Sequence, residues 1–540
     1  MQNLKNTTGM LRALIKRDWI KLLIWVVAVV GYVASGASKF ENAVNSPATA
    51  ASMKAMFANP AMTGLFGPNL APKGSSFGLA QLFSQTMGLL TVIVFSIVAV
   101  IYVINRTRGD EETGIAELFR SFQVGKLATT TAVVIETFIL QLVISLVLGM
   151  SLYAQQITGM TSLSSNLLYG FTIGAQGFLW GIVALVFAQL FVEAGSAKGA
   201  TFGLMGLLYI IRMGTDIKNP MAGAWNPLTW SYLTKVYNSN ETWWPVVAST
   251  LLALTLVVVA YLLETHRDTN AGYVQAGQGK DHAPKSLLSI PGLVLRQQRN
   301  AILGWLAGIL LLGFVYGSMF GQMGSFISSN STYIAIFQIT GTTAKQEIQS
   351  FAGTIYMVIA IFTACLVITS FIRMTGEERK SRLEQIYALP VSRVGIFLTY
   401  IVTATVLGII GQFIGGLGVY LAQAGNKTSI LLNFGQVMGP AMVWVFAIFF
   451  ILSLLALLQA FLPRLSALIW VYIGLIFFLS LFGSLLKLPK ALLHLNIFYY
   501  IPRLPVDKLV WSTLILVLVI AVALKVVSLW RYRGRDLISG

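Results

Sequence analysis

A single cysteine, Cys365, three histidines and a charged fraction of only 10% set the first limits on this 540-residue chain. One cysteine excludes a disulfide within the chain and any cysteine-based metal centre. His266, His282 and His494 are scattered, with no His-Glu-x-x-His or comparable spacing, so no metal site is expected. A phosphate-cradling loop needs Gly-x4-Gly-Lys-(Ser/Thr) between a strand and a helix, and none occurs. The nearest stretch, Gly277-Gln278-Gly279-Lys280-Asp281, has the wrong spacing and an aspartate in place of the hydroxyl. His, Asp, Ser and Cys do not converge near one interface either, so no catalytic residue is assigned. Soluble domains carry about a quarter of their residues as charged side chains; this chain is far below that level.

What the chain does have is apolar residues, 56% of the total, with a mean hydropathy of +0.76. Apolar runs long enough to cross about 30 Å of hydrocarbon as helices recur along the whole length. They fall near 20–36, 83–104, 128–155, 167–192, 199–215, 244–264, 301–318, 348–372, 393–423, 436–460, 467–486 and 508–530. A spanning β-barrel is excluded, because its strands alternate apolar with polar residues and these runs do not. The expectation is an all-α integral membrane protein of about twelve transmembrane helices. The net charge of +18 lies mostly between spans. Placing the N-terminus in the cytoplasm puts most Lys and Arg in cytoplasmic segments and a minority, such as Lys39, Lys218 and Arg503, outside. Both termini are therefore expected in the cytoplasm, and this bias removes the need for a nucleic-acid partner. The basic, then apolar, then small-residue pattern from Lys5 to Ser38 resembles a signal peptide. It reads instead as an uncleaved first span, because a matching segment opens the second half of the chain.

Self-similarity organises the rest. Arg106, Gly109, Asp110, Glu111, Glu117, Val124 and Lys126 recur as Arg373, Gly376, Glu377, Glu378, Glu384, Val391 and Arg393, all 267 residues later. Gln189, Phe191, Ser196 and Ala197 recur as Gln459, Phe461, Ser466 and Ala467 at 270, and Arg267-Asp268 with Gly272 recurs as Arg535-Asp536 with Gly540 at 268. Gly31-Tyr32-Val33 returns as Gly313-Phe314-Val315 at 282. Offsets that drift so little indicate tandem duplication, and an even number of spans per copy makes the two six-helix repeats parallel. The expected organisation is a first half at 1–264, a flexible cytoplasmic linker at 265–300 rich in Gly and polar residues, and a second half at 301–540.

The repeated element Arg-x-x-Gly-(Asp/Glu)-Glu-x5-Glu-x6-Val-x-(Lys/Arg) follows the second span of each half. Over Asp110 to Phe122 it reads as a short helix, acidic at its start where the helix dipole favours negative charge. Ala116/Leu383, Phe119/Ile386 and Phe122/Leu389 form one apolar stripe. The other face carries Glu112, Glu117 and Arg120 in the first copy and Arg379, Arg382 and Glu384 in the second. A connector lying on the membrane surface would show the same stripe. It has little reason to keep its charge positions through a duplication.

Glu-Glu-Thr-Gly-Ile-Ala-Glu-Leu at 111–118 and Gly-Glu-Glu-Arg-Lys-Ser-Arg-Leu-Glu at 376–384 resemble the signature loop of type-2 ABC exporter permeases. The tandem twelve-span form is similar to the subfamily described as exporters of polyketide antibiotics. The resemblance covers both halves. It implies a multi-pass protein of a bacterial cell membrane whose two loops are coupling helices docking on a separate ATP-binding cassette ATPase, in two copies, which binds ATP and Mg. Glu111, Glu112, Glu117 and Arg120, with Glu378, Arg382, Glu384 and Arg393, would then be coupling residues, with the acidic side chains facing solvent without partners. The second copy departs from the pattern, with Glu378-Arg379-Lys380 where the first has Glu111-Glu112-Thr113-Gly114, so unequal coupling is expected. The aromatic Pro motif before the sixth span is matched by Trp225-Asn226-Pro227-Leu228-Thr229-Trp230 in the first half only. The implied cargo is an amphipathic or hydrophobic drug-like molecule, moved outward by alternating access.

Ionisable residues inside spans call for a functional reading, and few are present. Glu136 lies in the third span, about two turns from its cytoplasmic end, where it can reach polar groups near the interface. Arg212, near the outer end of the fifth, has Asp216 at i+4 and can pair with it. Together they are the candidates for an intramembrane polar site. The alternative is a secondary multidrug transporter driven by an ion gradient, which would call for a chain of buried carboxylates that is not seen. Trp225, Trp230, Trp243, Trp244, Tyr499 and Tyr500 read as an interfacial belt in contact with membrane lipid.

Overall fold

A computed structural model describes residues 2–43, 60–68, 70, 78–268, 271–274, 282–318, 344–379, 382–388, 390–423, 432–482 and 489–535. In hydrocarbon a backbone must satisfy its own hydrogen bonds, which a helix does within one segment. The described residues form helices accordingly, with one isolated parallel bridge between Phe191 and Val274 as the extended pairing among them. The long helices of the first half are α1 (Thr7–Ala43), α2 (Leu79–Ile104), α3 (Ala128–Ala154), α4 (Leu163–Leu190), α5 (Ala194–Lys218) and α6 (Trp244–His266). Those of the second are α7 (Ile290–Ser318), α8 (Ala344–Arg379), α9 (Arg393–Gln423), α10 (Phe434–Phe461, with a turn at Trp444), α11 (Leu468–Phe482) and α12 (Trp511–Arg533).

These twelve correspond one to one with the apolar runs. Eleven are long and apolar enough to cross a membrane, whereas α11, with 15 described residues, is a shorter apolar helix. The chain is a multi-pass membrane protein. Helix starts differ most from expectation: α1 begins at Thr7 rather than near 20, and α7 at Ile290 rather than near 301. Hydropathy marks only the apolar part of a helix, and these polar turns continue the same helices beyond it.

The chain divides into two compact units, Met1–Gly279 and Lys280–Gly540. Much of 265–300, expected as linker, is ordered: Arg267 and 271–274 fold back on the first unit, and α7 already runs from Ile290. Thr269-Asn270 and Gln275–Lys280, which motivated the linker reading, lie outside the described residues.

Within each unit, helices meet where side chains are smallest. Lipid removes the hydrophobic drive for helices to associate, so contact area and close backbone approach matter most. In the first unit Gly170 and Gly174 of α4 lie against Ser145 and Gln141 of α3, where a Cβ would strike the Ser145 carbonyl and hydroxyl. In the second unit a close crossing is that of α7 on α9: a Cβ on Gly418 would strike the Leu310 carbonyl and come within 2.9 Å of the Phe314 nitrogen. Gly418→Val should therefore push α7 and α9 apart and lower the thermal unfolding midpoint of the detergent-solubilised protein. Gly304→Val, with nothing within 4 Å of its Cβ, should leave that midpoint unchanged.

Candidate functional site: a duplicated clamp behind the repeated loops

The loop of the first copy begins as α2 runs out through a π-helical turn at Asn105–Gly109. It is two short helices rather than one, Asp110–Glu112 and Ile115–Arg120, broken at Gly114, whose φ of +75 suits a residue without Cβ. In the second copy α8 continues unbroken through Gly376 to Arg379, and the loop helix is Arg382–Tyr387.

Behind both loops the residues that recur in the sequence meet in space. Glu111 accepts from Arg267 at 2.8 Å and pairs with Arg108, while Arg267 also donates to the Gln189 side chain at 2.7 Å. Lys126, at the start of α3, donates to the carbonyl of Arg267 at 2.9 Å and to that of Thr265 at 3.0 Å. In the second half Arg535 pairs with Glu378 and donates to the Gln459 carbonyl at 2.8 Å, and Arg393 donates to the Arg535 carbonyl at 3.1 Å. Four pairs of repeated positions, spread over more than 150 residues in each copy, thus form a similar knot twice. Each knot ties the loop after the second helix to the start of the third, the end of the fourth and the chain leaving the sixth.

The two knots differ in how charge is balanced. Arg108 adds a second guanidinium to Glu111 and reaches the carbonyls of Val192 (2.6 Å) and Ala271 (2.8 Å). Its counterpart, Thr375, carries no charge, and beside the second knot Tyr387 and Tyr532 meet hydroxyl to hydroxyl at 3.2 Å. Burial pushes the Tyr387 phenol above its ordinary pKa.

Residues 287–533 match the family model described as the C-terminal domain of the multidrug efflux system permease Rv1217c. The multidrug efflux system permease protein Rv1217c of Mycobacterium tuberculosis (strain ATCC 25618 / H37Rv) is 28% identical over 536 residues, covering 98% of this chain and 95% of the relative. The chain is thus similar to this permease along nearly its whole length. The resemblance to an exporter permease read from the two acidic loops is borne out by these similarities.

The loop acids divide into two groups that sequence reasoning did not separate. Glu111 and Glu378, expected to face solvent without partners, are only 7% and 2% exposed and pair with Arg267 and Arg535 in the clamps. A carboxylate opposite a guanidinium on a neighbouring helix end can be packed inside, and the partners lay more than 150 residues away in sequence. Arg393 is likewise turned to the Arg535 carbonyl. Glu112 is exposed, yet its carboxylate caps the Ala194 nitrogen at the start of α5, where the dipole favours an anion. Glu117 and Glu384 lie on the exposed face, and so does Arg382, which pairs with Glu377 at 3.4 Å. Arg120 ends the first loop helix. The expected apolar stripe is split: Phe119 and Leu383 pack inward, whereas Phe122 is 64% exposed beside Leu118 at 61%, and Leu389 lies outside the described residues.

The intramembrane candidates also separate. Glu136 is buried beside Tyr102, within electrostatic reach of Asp18, Arg106 and Arg17, at the face where the first half begins and ends. Arg212 has internal partners: Asp216 at 2.5 Å, and the carbonyls of Gly64 and Leu65 at the end of the short helix Pro60–Phe66. Tyr232 donates to Asp216, and burial followed by that aspartate raises the Tyr232 phenol pKa. The group acts as a brace at the opposite face. The second half carries an equivalent of the loop before α6 that the sequence motif missed. Asn226 accepts from Leu228 at 3.0 Å and Asn496 accepts from Phe498 at 2.9 Å, so the asparagine turn is duplicated although proline and tryptophan are not.

Removing one partner of a buried pair leaves the other uncompensated, at a cost of about 3–5 kcal/mol. Arg267→Ala and Arg535→Ala should each lower the unfolding midpoint markedly. Combining Arg535→Ala with Glu378→Gln should recover part of the loss in a double-mutant cycle. Additive losses would show that the pair is not coupled.

Proposed function

We propose that this permease is the membrane-spanning subunit of an ATP-driven exporter that moves amphipathic or hydrophobic drug-like molecules, antibiotics among them, out of a bacterial cell by alternating access. Both termini and both repeated loops lie in the cytoplasm, and ATP and Mg bind to a separate ATP-binding cassette ATPase, in two copies. The relative's name supports drug efflux. The observation that carries the energy source is the division of labour in the loops. A buried ion pair holds each loop to the ends of three helices, while Glu117, Leu118 and Phe122 in the first copy and Glu384 in the second stay at the surface. Large apolar side chains exposed on a polar loop mark a protein contact, and the clamp gives that contact a rigid route to the spanning helices.

In this arrangement, Glu117, Arg120, Arg382 and Glu384 meet the ATPase, with Glu112 setting the first loop against α5. Glu111, Glu378 and Arg393 act behind them as positioning residues. ATP binding supplies the free-energy difference between two packings of the permease.

Leu118→Ser with Phe122→Ser should leave the folded permease intact, since both side chains are already exposed, and should weaken capture of the ATPase at least about tenfold. Undiminished capture would remove the loop from the interface. In vesicles holding permease and ATPase, drug efflux should require ATP and persist when proton and sodium gradients are collapsed. Efflux without the ATPase that stops with the gradient would make the chain a secondary transporter, with Glu136 its foremost ion-coupling group.

A further inference from the structure

A glutamine inside a spanning helix needs a hydrogen-bond partner, because hydrocarbon supplies none. Gln176 of α4 has two, donating to the Pro227 carbonyl and to Ser249, each at 2.9 Å. Gln412 of α9 donates to the Ala441 carbonyl at 3.0 Å. Gln141 of α3 differs. It is 6% exposed, and the bond made there is the one its backbone carbonyl accepts from Ser145 at 2.7 Å; its side-chain amide has no partner among the described residues. It stands at the midpoint of α3 (Ala128–Ala154), about 20 Å from either end at 1.5 Å per residue.

That amide forms part of the wall of a hollow of about 320 Å³ between α3, α4 and α6, a size that suits a small organic molecule. Phe138, Leu142, Phe171, Phe178, Val247 and Leu251 supply much of the remaining wall, and Phe138 meets Phe178 edge to face at 5.4 Å. Among the described residues, none that lines the hollow is ionisable. It opens on the surface of the first unit, where Phe138, Val247 and Leu251 are exposed. The amide fits because Gly177 of α4 lies against it: a Cβ there would come within 2.6 Å of the amide oxygen. The second copy lacks this arrangement. At the repeat offset of 267 Gln141 becomes Gly408, and at 270 Gly177 becomes Ala447.

We propose that the hollow between α3, α4 and α6 binds a small neutral aromatic molecule bearing one carbonyl, which accepts a hydrogen bond from the Gln141 amide. The phenylalanines pack against the rings, edge or face. A charged molecule is excluded, because the wall offers no counter-ion at mid-bilayer. A lipid chain matches the walls but leaves the amide unpaired, so the carbonyl sets the preference. That the occupant is cargo rests on the export reading; that it binds does not.

The experiment uses the full chain in phosphatidylcholine nanodiscs with neither ATPase nor nucleotide, so failure of the export reading leaves it untouched. Benzophenone, a neutral diaryl ketone, is crosslinked by near-ultraviolet light and the labelled peptides are mapped by mass spectrometry. Labelling should saturate and fall on α3, α4 and α6 around the hollow. Fluorenone should displace it at a concentration about fivefold or more below that of fluorene, the same skeleton without the carbonyl, both measured in the nanodisc lipid. In Gln141→Leu the two competitors should become equal while helix content and monodispersity are unchanged. Ala175→Trp, a larger side chain in the wall, should abolish labelling at the hollow. If Gln141→Leu does not fold, the wild-type ratio and Ala175→Trp decide. Equal displacement in the wild type overturns the site and marks a groove for lipid chains. So does a preference unchanged in Gln141→Leu, or labelling that does not saturate or that survives Ala175→Trp.

Discussion

The arginine just beyond the last helix of each half lies against a glutamate of the loop after the second helix. A buried guanidinium and carboxylate are expensive to bring out of water separately, and each becomes tolerable only in the other's presence. That mutual dependence fixes the loop, the end of the sixth helix and the end of the fourth in one arrangement. Arg267 reaches Glu111 and Gln189, and Arg535 reaches Glu378 and the Gln459 carbonyl. The exposed side chains of the loops inherit their positions from this interior contact.

Duplication has preserved the clamp while its surroundings changed. The first copy balances Glu111 with two arginines and breaks its loop at Gly114; the second pairs Glu378 with Arg535 beside a tyrosine pair, and runs its helix on to Arg379. The close helix crossing falls between α3 and α4 in one unit and between α7 and α9 in the other. A scaffold held by a few polar contacts and by small residues at crossings can accept such changes, because lipid-facing positions need only stay apolar.

Ionisable groups at the two faces of the first half serve different ends. Arg212, Asp216 and Tyr232 gather the short helix Pro60–Phe66 and the loop before α6 into a closed group whose hydrogen bonds are internal. Glu136 sits with Tyr102, Asp18, Arg106 and Arg17 near the opposite face, so the first half's intramembrane acid belongs to the same end of the molecule as the loops.

The sequence by itself determined the membrane class, the twelve helices and the duplication. Hydrophobic length in a bilayer leaves a chain no other way to satisfy its backbone, and repeated residues at near-constant offsets survive without reference to structure. It also picked out the residues that matter, since Glu111, Gln189, Lys126 and Arg267 recur as Glu378, Gln459, Arg393 and Arg535. What only the tertiary structure decided was which of them touch one another. Glu111 and Glu117 look alike in a string of letters, both acidic and on one short polar loop. One is buried against an arginine 156 residues away and the other lies at the surface. Burial of a charge depends on what the rest of the chain brings to it, and that partner is a property of packing rather than of local sequence.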